Sequence, residues 1–252
     1  MLLAVDIGNS NIVVGVFRGD SLSVHWRINT EISRTADEYG ALLAGLFSSA
    51  GITRPDIDGA IVCSVVPGLD RTFLEVIRRY AAEKVYLVGK NVVPGIKVLT
   101  DNPGEVGADR LANAVAARRL YKPPVIIVDF GTAITFDYVR VDGYMGGVIA
   151  PGIAISAGAL FARTAKLPES DFERPDRVVG KNTIEAMRSG LFFGFGGLVD
   201  RIIERMMKEY EEKAQVIATG GMAKFLLGES RQIKKTDEFL TLKGLKFMYE
   251  GI

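Results

Sequence analysis

Two stretches of this chain begin alike, VDIGNSNIVVGVF from Val5 and VDFGTAITFDYV from Val128. Each is an apolar run ending in Asp, followed by one aliphatic or aromatic residue, a Gly, a small or polar turn and a second apolar run. Each also heads a similar succession of strand, strand, strand and helix, so the repeat predicts two structurally related α/β domains facing one another. In the first copy, LLAVDIG, IVVGVF and SLSVHWRI read as an antiparallel meander joined by Gly, Asn, Ser and Asp turns. Thr35 and Glu38 form a capping box ahead of the helical pattern YGALLAGLFSSA. GAIVCSVV is a buried strand running through Pro67 into the helix LDRTFLEVIRRYAAE, and KVYLVG is the next strand. The polar stretch TDNPGEVGADR then leads into the helix RLANAVAARRLY.

The second copy continues with GYMGGVIAP as a third strand, a helix from about Ile153, the helix TIEAMRSGLFFGFGGLVDRIIERMMKEY, the strand QVIATGG and a charged, helical end. The expected domains are 1–114 and 115–252. Residues 143–162 are uncharged over the length of a membrane span. Their glycines and Pro151 predict instead a strand, a tight turn and a small-residue helix. The start of the chain, with Asp6 inside its apolar run, does not read as a signal peptide.

Composition removes several function classes. With 31 basic against 30 acidic side chains there is no global field to attract nucleic acid or an anionic membrane, so an anionic ligand must be held by local geometry. Cys63 is the only cysteine, which excludes an intramolecular disulfide and fits a reducing, cytoplasmic setting. His25 is the only histidine; it lies in an alternating strand beside Trp26 and reads as structural. The Met206–Met207 pair and Phe192, Phe193 and Phe195 read as core packing. Gly190, Gly194 and Gly197 recur at helical spacing and suit close approach of a helix or a subunit.

A tight Gly-containing hairpin presents backbone N–H groups with no bulky side chain in front of them, which makes a cradle for phosphate oxygens. DIGNSN is one such cradle and DFGTA another, with Thr132 adding a hydroxyl. Asp6 beside bound phosphates makes sense if it holds a hydrated Mg²⁺, and Asp129 stands in the matching place for a cation. Gly220 and Gly221, after a further buried strand, could let a nucleoside lie flat against backbone. GKN at 89–91 and at 180–182 lacks the following Ser or Thr of a Walker loop, and no G-x-G-x-x-G follows a strand. In DNPGEVGADRLANAVAA, Asp109 and Arg110 open a helix whose amides favour anions, so Asp109 could accept a hydroxyl proton while Arg110 holds a carboxylate. An ordinary acidic first turn with a surface arginine reads equally well from composition alone.

Taken in order, DIGNSN, SVVP, DNPGEVGADR, VDFGTAITFD, GGVIAPGIAISAGAL with TAKLP, NTIEAMRSG and ATGG resemble the type III pantothenate kinase family, with a fainter likeness through LTLKGLKFMYEG. The resemblance implies the fold of the acetate and sugar kinase, Hsp70 and actin superfamily: two RNase H-like (actin-like ATPase) domains, each a mixed sheet flanked by helices, with an ATP cleft between them. It implies phosphorylation of pantothenate by ATP, the first step of coenzyme A synthesis, with Mg²⁺ and K⁺ or ammonium. Carried over, the ATP loop falls on Asp6, Ile7, Gly8, Asn9, Ser10, Asn11, Ile12 and Val13, with Asp6 near Mg²⁺, and a nucleotide contact falls on Thr132. The pantothenate stretch falls on Gly107, Ala108, Asp109 and Arg110, with Asp109 as general base. Asp129 matches the K⁺ ligand, and Thr183 a substrate contact supplied by the partner subunit of a homodimer. Thr100 stands where many relatives have Tyr, which puts that Tyr's substrate contact in doubt. A non-catalytic regulatory protein like the Bvg accessory factors is the alternative.

Overall fold

In a computed structural model, which describes residues 1–162 and 173–252, the chain forms two compact units. The first comprises Met1–Ile96, Asn102–Ala116 and Leu240–Ile252, and the second Lys97–Asp101 and Ala117–Phe239. The TAKLP motif lies outside the described residues.

The first unit holds strands β1 (Leu2–Ile7), β2 (Asn11–Arg18) and β3 (Ser21–Asn29), helix α1 (Ala36–Ser49), β4 (Gly59–Ser64), α2 (Pro67–Tyr80) and β5 (Val85–Leu87). Its sheet runs in the order β3-β2-β1-β4-β5. The first three strands pair antiparallel, and β1–β4 and β4–β5 pair parallel, so the sheet is mixed. Along β1 the side chains alternate between faces. Leu3, Val5 and Ile7 enter a core with Tyr39 and Leu43 of α1 and Leu69 and Phe73 of α2. Asp6 is thereby turned to the opposite face. The Thr35 capping box forms as expected, with the Thr35 N–H donating to Glu38 Oε2 at 2.8 Å and the Glu38 N–H to Thr35 Oγ1 at 3.4 Å. On edge strand β3 exposure alternates residue by residue, and Trp26 packs on Phe47 at 5.8 Å between ring centres. Helix α3 (Ala108–Leu120) starts two residues before the expected Arg110, so Asp109 lies within its first turn.

The second unit repeats the plan with β6 (Val125–Phe130), β7 (Ala133–Val139), β8 (Tyr144–Pro151), α4 (Ile153–Ala162), α5 (Thr183–Glu209), β9 (Gln215–Thr219), α6 (Ala223–Leu226) and β10 (Lys235–Thr236). The order β10-β9-β6-β7-β8 is the same connectivity, with β6 standing for β1 and β9 for β4. Its core gathers Ile126, Val128 and Phe130 with Phe192, Phe195, Val199 and Ile203 of α5. The uncharged stretch 143–162 is strand β8 and helix α4, and among the described residues no helix is long and apolar enough to cross a membrane. The two-residue strand β10 was not expected, being too short to carry a periodic signal.

One boundary differs from expectation. The expected second domain, 115–252, includes helix α7 (Leu240–Tyr249), yet α7 belongs to the first unit and packs on β1 and β4. The reason is steric and apolar. Leu240, Leu242, Leu245 and Met248 are buried on that face, and Gly15 and Gly59 leave the room that Leu242 and the Tyr249 hydroxyl occupy.

Candidate active site

The repeat becomes concrete in the two hairpins. Asp6 and Asp129 are each the fifth residue of a six-residue strand, half-exposed where the residues on either side are buried. Asp6 lies across from Val13 on β2 and Cys63 on β4, and Asp129 across from Thr135 on β7 and Thr219 on β9. In the first hairpin the Gly8 N–H donates to the Asn11 carbonyl at 3.0 Å, leaving Asn9 and Ser10 exposed at the tip. Thr30, just past β3, ties the loop down: its hydroxyl donates to the Gly8 carbonyl at 2.6 Å and its N–H to the Ser10 carbonyl at 3.1 Å. Ile7 and Ile12 are fully buried, so their side chains belong to the core and only their backbone could serve a ligand. Val13 is half-buried.

The second hairpin is tighter. Gly131 N–H donates to the Ala133 carbonyl at 3.1 Å, and Thr132 is half-buried. Two glycines press on this loop from neighbouring strand ends. A Cβ at Gly152 would overlap the Thr132 carbonyl oxygen and stand 2.8 Å from that of Gly131. Gly220 has φ of +88°, and a Cβ there would lie 2.5 Å from Asp129 Oδ1 and 2.7 Å from the Phe130 nitrogen.

Asp109 sits in the first turn of α3, where the Arg110 N–H donates to its Oδ1 at 2.8 Å. Burial raises its carboxyl above the ordinary carboxylate range, partly opposed by that N–H and by the Arg110 charge. Gly107 makes this pose possible, since a Cβ there would come 2.5 Å from Asp109 Oδ1. Ala108 and Arg110 are half-buried beside it. Cys63 joins Asp109 to Asp6: its buried thiol donates to Asp6 Oδ1 at 3.1 Å, and burial with the charges of Asp6 and Asp109 pushes the thiol well up, keeping it protonated. The first unit therefore brings Asp6, Cys63 and Asp109 together. Thr183 is exposed at the start of α5, next to the cap Asn182, whose Oδ1 accepts the Glu185 N–H at 2.9 Å.

Sequence reasoning passed over Cys63, Thr30 and Gly152. Cys63 carries a local signal, as the residue just before SVVP at the end of a buried strand. Thr30 and Gly152 carry none, because only strand pairing brings them to the loops.

The sequence profile of the type III pantothenate kinases matches residues 2–205. The chain belongs to the type III pantothenate kinase family. The type III pantothenate kinase of Pelobacter propionicus is 50% identical over 251 residues, covering 99% of both chains. Among solved structures, the chain resembles a protein from Campylobacter jejuni described as a Baf family transcriptional activator, with TM-score 0.61, 20% identity, and 99% of this chain and 98% of that one covered. It also resembles component A of the (R)-2-hydroxyglutaryl-CoA dehydratase of Acidaminococcus fermentans, with TM-score 0.60, 12% identity, and 98% and 96% covered. These two likenesses concern the fold, two mixed five-stranded sheets with helices in the actin-like ATPase arrangement.

Among the described residues no group of three or more His, Cys, Asp or Glu forms a metal cage. At Asp129 the carboxylate lies beside the tight turn closed by the Gly131 N–H and the Ala133 carbonyl.

Proposed function

We propose that this chain transfers the γ-phosphoryl group of ATP to the primary hydroxyl of pantothenate, giving 4'-phosphopantothenate, the first step of coenzyme A synthesis. The observation that carries the reading is the end-to-end likeness to a type III pantothenate kinase, 50% identical with 99% of both chains covered. The geometry supports it through Asp109, whose carboxyl is raised by burial and held at the first turn of a helix.

In this reading Asp109 orients the attacking hydroxyl and takes its proton, while Arg110, with Gly107 and Ala108, receives the carboxylate end of pantothenate. The loop from Asp6 through Ile7, Gly8, Asn9, Ser10, Asn11 and Ile12 to Val13 receives the phosphates at its exposed tip, Asn9 and Ser10, and Thr132 is read as a nucleotide contact. Mg²⁺ at Asp6 and K⁺ or ammonium at Asp129 would supply charge neutralisation as the phosphoryl group passes through its loose transition state. Asp6, whose Oδ1 accepts from the Cys63 thiol, is read as the Mg²⁺-side carboxylate and not as the base.

The test is an ADP-release assay with ATP, pantothenate, Mg²⁺ and K⁺, each omitted in turn, and turnover is expected only with all four. No turnover with pantothenate, together with tight binding to another protein, would favour the regulatory alternative. Asp129→Asn is expected to weaken the response to K⁺, measured by titrating K⁺ while Na⁺ holds ionic strength constant. An unchanged K⁺ curve would remove Asp129 from that role.

A homodimer belongs to the same reading, with Thr183 reaching the partner's pantothenate. It is supported by an exposed stripe of Ala186, Gly190, Gly194 and Gly197 along α5 and by exposed Ile155 on α4. Among the described residues, and apart from the helix's own backbone, no atom lies within 4 Å of a Cβ built at any of these three glycines. Light scattering should give twice the 27.4 kDa chain mass for the parent. Gly194→Glu should shift it towards monomer while the chain stays folded, because replacing Gly in a helix interior gains roughly 0.5–1 kcal/mol of propensity.

A further inference from the structure

We propose that helix α7 sets the position of Asp109, with Gly244 as the positioning residue. The inference rests on the reading of Asp109 as base, and all of its contacts lie within the first unit.

Helix α3 has little side-chain bulk between itself and its surroundings: Ala112, Ala114 and Ala116 are fully buried, as is Asn113. Against it lies Gly244. A Cβ there would overlap the Ala112 carbonyl oxygen and stand 2.5 Å from the Ala112 carbonyl carbon and 3.0 Å from its Cα. The two helices thus meet backbone to backbone at this point, with no flexible side chain to take up a change. One turn earlier on α7, the Thr241 hydroxyl is 2.8 Å from Asn113 Oδ1, to which it donates, and this fixes the rotation of one helix on the other.

Helix α7 cannot retreat from α3, because its other contacts are filled. Leu242 occupies the space left by Gly15, where a Cβ would come 2.6 Å from Leu242 Cδ1, and the Tyr249 hydroxyl occupies that left by Gly59. Tyr249 also packs edge-on against Tyr86, with ring centres 5.7 Å apart. Lys246 is buried and pairs with Asp20 at 2.8 Å and with Glu250. Added volume at Gly244 must therefore move α3. Asp109 precedes Ala112 by three residues, about 4.5 Å along a helix rising 1.5 Å per residue, and its carboxylate is fastened to the same helix through the Arg110 N–H. It moves when α3 moves. Misplacing a catalytic group by about 1 Å can cost on the order of 10²-fold in rate.

The test is a double-mutant cycle of Gly244→Ala and Asp109→Asn, measuring kcat, both KM values, direct binding of a non-hydrolysable ATP analogue and melting temperature. Gly244→Ala should lower kcat by about 10–10²-fold while the affinity for the analogue stays within about threefold, and it should add little to the loss already caused by Asp109→Asn. A folded Gly244→Ala protein with parental kcat, or one whose loss multiplies fully with that of Asp109→Asn, overturns the inference. If Asp109→Asn itself retains near-parental turnover, it is the reading of Asp109 as base that fails. Should Gly244→Ala not fold, Thr241→Val takes its place, since it removes the hydroxyl bonded to Asn113 and leaves the helix backbone alone. A several-fold fall in kcat at unchanged analogue affinity is then expected, and parental kcat overturns the inference.

Discussion

Asp109→Asn should lower turnover by about 10²–10⁴-fold, the usual range for loss of a general base, while ATP binding stays near parental. The effect is large because the substitution keeps the shape and removes only the ability to take a proton. Asn can still accept the Arg110 N–H that now donates to Asp109 Oδ1 at 2.8 Å, so the first turn of α3 is not disturbed. The pH dependence follows from the raised carboxyl. The base works only when ionised, so the parent's kcat/KM should fall on the acid side at a pH above the ordinary carboxylate range. The same shift has a stability consequence of opposite sense. Between the ordinary carboxyl value and the raised one, the folded protein binds more protons at this site than the unfolded chain, so its stability declines as pH rises through that window. Asp109→Asn removes that decline and should melt no lower than the parent at pH 7. Parental turnover in the variant, or an acid limb that persists unchanged in its residual activity, would remove Asp109 from the role.

Gly220→Ala should destabilise the fold by about 2–5 kcal/mol. Two costs add at one residue. A side chain at φ of +88° sits in the left-handed region, which costs roughly 1–2 kcal/mol. Its Cβ would also stand 2.7 Å from the Phe130 nitrogen and carbonyl carbon and 2.5 Å from Asp129 Oδ1, an overpacking penalty of about 1–3 kcal/mol. The atoms in the way are mostly backbone of β6 and cannot rotate aside. At about 2–4 °C per kcal/mol for a chain of this size, a fall of roughly 4–20 °C in melting temperature is expected. Because Asp129 is pushed as well, the K⁺ response of whatever folds should weaken as in Asp129→Asn. A Gly220→Ala protein that melts with the parent would show that the ends of β6 and β9 can separate without cost.

Much of this was written locally in the chain. The Thr35–Glu38 capping box, the alternation along β3 and the strand-turn-helix reading of 143–162 each depend on residues a few places apart, and all three appear as expected, whereas α2 starts at Pro67, two residues before the expected Leu69. The repeated hairpins also carried further than their dozen residues, because the same apolar period followed by Asp and a Gly turn builds the same strand pair twice. Where the sites depend on long-range pairing, sequence was silent. The Cys63 thiol meets Asp6 only because β1 and β4 align in register, 57 residues apart. Thr30 holds the first loop from the far end of β3, and Gly152 and Gly220 close on the second from other strands.

The sequence by itself determined the two-fold α/β plan and the family, since these rest on periodicity and on ordered motifs, and it singled out the acidic residues at 6, 109 and 129 for the proposed site. Only the tertiary structure decided that α7 joins the first unit and lies backbone to backbone on α3. An amphipathic helix buries its apolar face on whichever surface has room for it. Here that room was made by Gly15 and Gly59, more than 180 residues earlier in the chain and with no mark in the sequence of what they would receive.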